Sequence, residues 1–416
     1  MPADMAFVFA YYEAEMSLSF RALLSPRALG LAFALSLSML GGAQANTADF
    51  LRNLWPEAER AGVSRSVFEA AFSGYSPLPK VMELTKAQPE FSQTVQQYID
   101  RRVTAAQASK GQSMRREWAQ TLSGVQQRYG VQPEIVLAIW GMETNFGGYM
   151  GGNNTIHALA TLTQNGYRET FFRKELVTAL RILTEGHVSA GNMTGSWAGA
   201  MGHTQFMPTS FMSYAVDYNG DGRKDIWNSV PDALGSTANY LKSFNWRPGE
   251  TWGYEVKLPA NFDFGTARQM ERAPLSQWQR MGISRVSGRD FPRANDVARL
   301  YMPAGARGPA FLLLPNFEVI KRYNNSDSYA LAVGHLADRI IGGGQFATAW
   351  PTGDYSLNKA QRTEVQALLN RAGYDVGTPD GVVGPKTRAA VMAFQQRAGL
   401  PADGHVSGLL LDRLKR

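Results

Sequence analysis

The chain has 416 residues, 44% hydrophobic and 19% charged, so it is an ordinary globular protein long enough for two or three domains. It contains no cysteine, which excludes disulfides, zinc–thiolate sites, cysteine nucleophiles and a lipidated cysteine. Its formal charge of +7 becomes +8 without residues 1–45, which carry two basic and three acidic residues, and this favours an anionic partner such as a cell-wall polymer or a lipid surface.

The N-terminus has the pattern of a secretory signal. Two arginines precede an apolar run at 29–40, and small residues at 43–45 form a cleavage site. Acidic residues near the start fit this pattern poorly, so translation is expected to start at Met16. The apolar run is short for a membrane anchor, which is the alternative. We therefore predict an exported protein, and export argues against nucleic acid as the partner.

From 47 to 130 the pattern is helical, and a short helix follows at 133–147. Pro133 opens this helix and Gly147 ends it. Glu143 continues its apolar stripe, so burial and the C-terminal end of the helix dipole are expected to raise the Glu143 pKa. A rise of about two units costs roughly 2.7 kcal/mol, which a protein can tolerate in a proton donor. The alternative is a glutamate that extends to solvent or pairs with an arginine.

A further amphipathic helix is predicted at 168–185, and a glycine- and alanine-rich segment follows at 196–210. Small residues let a ligand approach the backbone closely, and Ser196 and Gln205 offer polar contacts. A tightly packed turn explains the same composition.

The segment 217–228 matches the spacing of a calcium loop, with oxygen-bearing side chains at positions 1, 3, 5 and 9 and Gly222 at the sharp turn. Position 12 is Asn228, which cannot give a bidentate carboxylate, so Asp232 is the expected replacement. A solvated turn is the alternative.

Between 252 and 320 the pattern becomes partly β, with strands predicted at 252–258, 298–302 and 309–320. Helix resumes at 327–340. Residues 342–356 are glycine-rich at their start and predict a linker. The remaining residues, 357–416, predict a compact module of three amphipathic helices.

These motifs together resemble the membrane-bound lytic transglycosylase B family. The resemblance rests on Glu-Thr-x-Phe-Gly at the end of the Glu143 helix, on Ala-Gly-Ala-Met-Gly-x-x-Gln-Phe-Met-Pro, on Asp-x-Asn-Gly-Asp-Gly and on Ala-Asn-Tyr, and it covers roughly 48–341. The tail resembles the peptidoglycan-binding type 1 module through Asp-Gly-Val-Val-Gly-Pro-Lys-Thr-Arg-Ala-Ala and Phe-Gln-Gln.

The resemblance implies a mainly α (α+β), lysozyme-like catalytic domain at 46–341 with a small β-containing insertion. It also implies nonhydrolytic cleavage of the β-1,4 bond between N-acetylmuramic acid and N-acetylglucosamine, leaving a 1,6-anhydromuramoyl end. One carboxyl serves as acid and then as base in that reaction, so the absence of an obvious second carboxylate is no obstacle. Glu143 is the matching residue.

The resemblance also implies further site residues by motif position. Those for the sugar and the cleft are Ser196, Gln205, Tyr240, Tyr323, Asn324 and Arg168, and those for calcium are Asp217, Asn219, Asp221, Arg223 through its carbonyl, and Asp232. One residue is inserted before Asp232, and Tyr167 replaces one of two adjacent arginines. No organic cofactor is implied.

The expected partners are the glycan strands and stem peptides of peptidoglycan, and the expected location is the periplasm, without a membrane anchor. Two alternatives remain: a lysozyme-type muramidase that uses water, and a noncatalytic wall-binding protein. The identity of the released sugar end separates these three hypotheses.

Overall fold

The computed structural model describes residues 36–86 and 93–416, with side chains from residue 46 onward. These residues form two compact units: 36–86 with Lys110–Asn245, and 93–109 with Trp246–Arg416. Helices dominate both, as the sequence predicted, and the strands pair antiparallel. Among the described residues no helix is long and apolar enough to cross a bilayer.

The predicted signal segment lies mostly outside the described residues. Only its end, from residue 36, is described, as the beginning of a helix that continues to Arg60. Cleavage at the predicted site therefore stays a prediction.

The elements up to residue 245 are mainly helices with one short hairpin. In chain order they are α1 (Ser36–Arg60), α2 (Arg65–Ala71), α3 (Pro79–Lys86), α4 (Val95–Arg102), α5 (Ala105–Glu117), α6 (Ala119–Tyr129), α7 (Pro133–Thr144), β1 (Asn153–Asn154), α8 (Thr155–Gln164), α9 (Glu169–Thr184), β2 (Thr194–Gly195), α10 (Pro208–Tyr214) and α11 (Val230–Ser243).

Helix α7 is the buried centre of the first unit. Pro133 occupies its first turn, where a missing N–H costs nothing, and every residue from 135 to 144 is buried. The helix is thus buried on all sides, although the sequence predicted one apolar stripe. Helices α6 and α11 pack against it, and α8, α9 and α10 pack in succession nearby.

The second unit contains the predicted β insertion and the C-terminal module. After residue 245 its elements are β3 (Gly253–Lys257), α12 (Phe264–Met270), β4 (Ala273–Pro274), α13 (Leu275–Arg280), β5 (Ser284–Arg285), β6 (Val297–Tyr301), β7 (Ala310–Leu313), α14 (Pro315–Tyr323), α15 (Asp327–Ile340), α16 (Lys359–Arg371), α17 (Pro385–Arg397) and α18 (Gly408–Leu414). Its five-stranded sheet has the order β4-β6-β7-β3-β5.

The strand predicted over 309–320 is wrong beyond its first third. Strand β7 ends at Leu313, and α14 begins at Pro315. Proline cannot donate to a strand ladder, but its fixed φ suits the first turn of a helix. The apolar residues after Pro315 therefore form a helix face: Phe317 and Ile320 are both fully buried.

The C-terminal module has its own small core and also contacts the β insertion. Leu357, Val365, Leu369, Val376, Ala390, Val391, Leu410 and Leu411 form that core. From the insertion, the Arg268 guanidinium donates to the Pro385 carbonyl at 2.9 Å, and Ala306 N donates to Asp403 Oδ2 at 2.6 Å. Hydrogen bonds thus join the module to the sheet region.

Candidate active site

Glu143 lies one residue before the end of α7 and is only 2% exposed. Its predicted burial is confirmed, and the alternative in which it extends to solvent is wrong. Two neighbours of Glu143 on α7 also belong to the site: Trp140 lies one turn before it, and Thr144 follows it directly.

The chain leaves α7 through three consecutive left-handed residues. Their φ angles are 52° at Asn145, 55° at Phe146 and 73° at Gly147. A bulky residue such as Phe146 pays about 1–3 kcal/mol for this conformation, so the surroundings must hold it. Phe146 N donates to the Trp140 carbonyl at 3.3 Å, and the Phe146 ring fills the space that a Cβ on Gly141 would need. These two contacts of Phe146 fix the backbone conformation at the C-terminal end of α7.

The 196–206 loop is fastened to α7 on both sides of Glu143. Trp140 Nε1 donates to His203 Nδ1 at 3.0 Å, and Thr144 Oγ1 donates to the His203 carbonyl at 3.4 Å. Burial lowers the pKa of His203 to about 4. The imidazole is therefore neutral at pH 7, and the indole donor requires that Nδ1 be unprotonated.

Ser196 turns its hydroxyl oxygen into the loop. Its Oγ accepts from Ala198 N at 3.3 Å and from Ala200 N at 3.1 Å, and the residue is 3% exposed. Gly199, at φ +86°, completes the turn, and a Cβ there would collide with Leu159. The acceptor capacity of Oγ thus goes to the backbone of a tight turn, and the contact of Ser196 to a sugar stays a prediction.

Gln205 is the loop residue with an unused acceptor. It adopts φ 51°, and its Nε2 donates to the Gly202 carbonyl at 2.9 Å and the Met150 carbonyl at 3.1 Å. Both donors of the side chain are thus satisfied, which fixes its orientation. Among the described residues, Oε1 accepts no hydrogen bond and is therefore available to a ligand.

Tyr240 and Arg168 lie in the same unit as Glu143, in different surroundings. Tyr240 is 3% exposed and lies in an aromatic cluster with Phe206, Tyr214 and Phe244, at centroid distances of 4.8–5.6 Å. Arg168 is exposed just before α9, with its guanidinium 4.7 Å from the Phe171 ring centroid.

Tyr323 and Asn324 end α14 in the second unit. They are 0% and 2% exposed. The Asn324 Oδ1 atom is buried and has no hydrogen-bond partner among residues 36–86 and 93–416. Such an orphaned acceptor is uncommon in a folded protein and is often found at functional sites.

The predicted calcium loop brings three carboxylates together. Asp217, Asp221 and Asp232 each offer an oxygen, and these oxygens lie within 4.8 Å of one another. The Asp217 carboxylate also accepts from Gly220 N at 2.7 Å and Gly222 N at 2.8 Å. Like charges this close repel one another, and hard oxygen donors in this number suit calcium.

Asp225 and Asn228, at positions 9 and 12 of the calcium-loop pattern, hydrogen-bond with each other instead of joining the three aspartates. Asp225 Oδ1 accepts from Trp227 N at 3.0 Å and Asn228 N at 2.9 Å, and the Asn228 amide donates to the same carboxylate. Asp232 lies with the other two aspartates, as expected for the residue that replaces Asn228. Desolvation raises the Asp232 pKa, against three backbone N–H donors that lower it. Asn219 and Arg223 lie within the loop. The Asn219 N–H donates to Asp232, and the Arg223 N–H donates to Asp221.

Sequence reasoning missed a second buried glutamate. Glu175 on α9 is 2% exposed and accepts from Thr209 N at 2.9 Å and Thr209 Oγ1 at 2.7 Å. It fixes the start of α10, directly after the 196–206 loop. The signal that identified Glu143, an acid among apolar helix positions, is also present between Phe172 and Leu176.

Residues 46–338 match the family described as Transglycosylase SLT domain, and residues 358–414 match a peptidoglycan binding domain. One curated relative is the membrane-bound lytic murein transglycosylase B of Escherichia coli strain K12. It is 35% identical over 250 residues, which are 58% of this chain and 66% of the relative.

Solved structures extend the likeness to both domains. SltB3 from Pseudomonas aeruginosa, in complex with NAG-anhNAM-pentapeptide, is 46% identical with a TM-score of 0.82, covering 89% of this chain and 99% of that one. The soluble lytic transglycosylase SltB1 of the same organism is 31% identical with a TM-score of 0.60, covering 71% and 98%. The Escherichia coli lytic transglycosylase Slt35, in complex with calcium, is 31% identical with a TM-score of 0.58, covering 71% and 92%.

Proposed function

The chain belongs to the lytic murein transglycosylase family, whose substrate is peptidoglycan, and on that premise we propose that Glu143 is its catalytic acid and base. The observation that supports this most is a carboxyl 2% exposed at the end of α7, beside a loop fastened to the same helix. The proposed reaction cleaves the bond between N-acetylmuramic acid and N-acetylglucosamine. It leaves a 1,6-anhydromuramoyl end.

In the first step the protonated Glu143 carboxyl gives its proton to the oxygen of the leaving sugar. In the second step the Glu143 carboxylate takes the proton of the C6 hydroxyl of the muramic sugar, whose oxygen bonds to C1 in place of water. The substrate's 2-acetamido group can stabilise the cationic centre between the two steps. One glutamate then completes the cycle, because the proton that it gives to the leaving oxygen is replaced by the proton of the C6 hydroxyl.

Gln205 is the proposed positioning contact to the reacting sugar. Its Nε2 hydrogen bonds to two backbone carbonyls hold the side chain still and leave Oε1 as a preoriented acceptor. A sugar hydroxyl or acetamido N–H is a suitable donor. We propose Ser196 as a second contact to that sugar through its hydroxyl hydrogen, because its Oγ accepts from Ala198 and Ala200 and is held in place by them.

Tyr240, Tyr323, Asn324 and Arg168 remain proposed cleft residues. The support differs among them: Asn324 has a buried acceptor without a partner in the described part of the chain, and Arg168 is exposed. Tyr240 is supported only by its motif, since it is 3% exposed within aromatic neighbours.

We further propose that calcium binds the loop through Asp217, Asp221 and Asp232, with Asn219 and the Arg223 carbonyl completing the set. The convergence of three carboxylates supports this. Calcium would neutralise their repulsion and hold residues 217–232 together, a structural contribution and not a catalytic one.

The cellular setting is also a proposal. An export signal at residues 1–45, a periplasmic location and a wall-binding module at 357–416 form one consistent hypothesis. In it, the module raises the local concentration of glycan near Glu143.

The decisive experiment is mass spectrometry of the fragments that residues 46–416 release from purified peptidoglycan, with Glu143→Gln alongside. We expect anhydromuramoyl ends from the unmodified protein and at least a hundredfold fewer from the variant, about the contribution of acid–base catalysis. Glu134→Gln, in the first turn of the same helix, is the matched control and should keep full activity.

Hydrated, reducing muramic ends would instead identify a muramidase. Unchanged activity in Glu143→Gln would remove this residue from the mechanism. Binding of the unmodified protein to the wall without any released fragment would support the noncatalytic alternative.

A further inference from the structure

The C-terminal module contains the same hydrogen-bonded turn twice, each time around a glutamine. In the first turn, Gln366 donates to Asp380 Oδ1 at 3.1 Å and accepts from Gly381 N at 2.7 Å. In the second, Gln395 donates to Asp403 Oδ1 at 2.7 Å and accepts from Gly404 N at 2.8 Å. The aspartate Oδ1 atom also accepts the N–H two residues on, at 2.8 Å in both turns.

The glycines complete the equivalence. Gly381 has φ +75° and Gly404 has φ +70°, a conformation that glycine adopts without strain. A Cβ on Gly381 would meet Lys359 and Thr363, and one on Gly404 would meet Arg388 and Met392. These contacts are four residues apart on α16 and on α17, so each turn sits on its helix in the same way.

The two turns differ in the use of the second aspartate oxygen. Asp403 Oδ2 accepts the backbone N–H of Ala306 at 2.6 Å, from the short 3-10 helix Gly305–Arg307 of the β insertion. The turn is thus seen binding a main-chain amide that belongs to a segment outside the module.

The first turn presents the same atom outward. Asp380 is exposed, its Oδ1 is occupied by Gln366 and Val382 N, and its Oδ2 has no hydrogen-bond partner among the described residues. The donors from Val382 N and Gln366 lower the Asp380 pKa, so the carboxylate is ionised at neutral pH. Val382 beside it is 63% exposed, the most exposed large hydrophobic side chain in the described part of the chain.

We propose that Asp380 Oδ2 accepts a backbone N–H of a peptidoglycan stem peptide, while Val382 packs against an apolar side chain of that peptide. This rests on the proposed wall-binding role of the module. The stem peptide is favoured over a sugar acetamido group for two reasons on this surface: the donor held by the equivalent oxygen of Asp403 is a main-chain amide, and the adjacent exposed group is aliphatic.

The test uses Asp380→Asn, which keeps Oδ1 for Gln366 and Val382 but replaces the outward acceptor with a donor. Binding to purified sacculi is measured by co-sedimentation, with Glu143→Gln in every protein so that the wall is not cleaved. A second set of sacculi has its stem peptides removed by amidase. We expect Asp380→Asn to weaken binding to intact sacculi about five- to tenfold, the value of one charge-assisted hydrogen bond. Its binding to stripped sacculi should not change.

Asp375→Asn is the matched control, because it removes one exposed charge from the same module while Oδ1 remains for Gly377 N. Equal weakening by Asp375→Asn would mean that net charge is responsible and would overturn the proposal. So would unchanged binding of Asp380→Asn, or an equal loss on stripped sacculi, which would indicate the sugar. If the parent protein bound neither preparation, the wall-binding role itself would be wrong. Fragment release by proteins with Glu143 intact reports separately on catalysis.

Discussion

At the scale of single residues, His203 makes the site sensitive to acid. Its pKa is about 4 in the fold because it is buried, against about 6.5 in an unfolded chain. Between these values the unfolded state binds more protons, so stability is complete above pH 6.5 and falls as the pH drops towards 4. One such histidine removes about 2 kcal/mol at pH 5.

His203→Gln should reduce that loss. Glutamine leaves an acceptor for Trp140 but does not titrate in this range. Thermal unfolding between pH 7.5 and 5 measures the effect: the melting temperature of the unmodified protein should fall more steeply than that of the variant. The value at pH 7.5, where histidine is neutral in both states, corrects for any other cost of the substitution. Parallel curves for the two proteins would mean that His203 does not titrate as described.

At the scale of elements, the stability of the proposed calcium loop is expected to depend on a bound metal. A chelator should lower the melting temperature of the unmodified protein by about 2–4 °C for each kcal/mol of lost binding energy. The chelator should change the melting temperature of Asp221→Ala only slightly, because this variant already lacks one of the three converging carboxylates. Asp225→Asn is the matched control: Asp225 bonds Trp227 and Asn228, so this variant should keep the chelator effect. Equal shifts in all three proteins would contradict a metal in this loop.

The helices and loops also show how much of the structure could be predicted from the sequence. Spacing alone predicted the Glu143 helix and its start at Pro133, because periodicity and the proline signal are local, but it placed the end at Gly147 where the helix ends at Thr144. It could not predict that α7 is buried on every side, since that depends on which helices pack around it. Nor could the sequence predict that Ser196 Oγ accepts from backbone N–H groups of its own loop, because a glycine-rich composition suits a ligand site and a tight turn alike. Glu175 was missed although its signal was local.

At the scale of the molecule, residues 345–348 of the predicted linker are held to other residues of the second unit by hydrogen bonds and a ring contact. The Glu255 carboxylate accepts from Ala347 N and Thr348 N, both at 2.8 Å. Phe346 stacks on His335 at a centroid distance of 3.9 Å, and Gln345 Oε1 lies 3.2 Å from His335 Nε2. The glycines at 342–344 predicted a linker, but composition does not reveal the side-chain and backbone contacts that the residues after them make.

Glu255→Ala should therefore release this segment without unfolding the protein. Both amide donors lose a charged acceptor, so the segment opens more often and its partly buried aromatic residues Phe346 and Trp350 become more accessible to chymotrypsin. We expect cleavage within 344–356 to be several-fold faster, with the melting temperature changed little, as followed by limited proteolysis and mass spectrometry. Glu271→Ala, an exposed glutamate of the same unit, is the control. If both variants are cut at the rate of the unmodified protein, the two Glu255 hydrogen bonds do not hold the segment, and the contacts of Phe346 and Gln345 with His335 are sufficient.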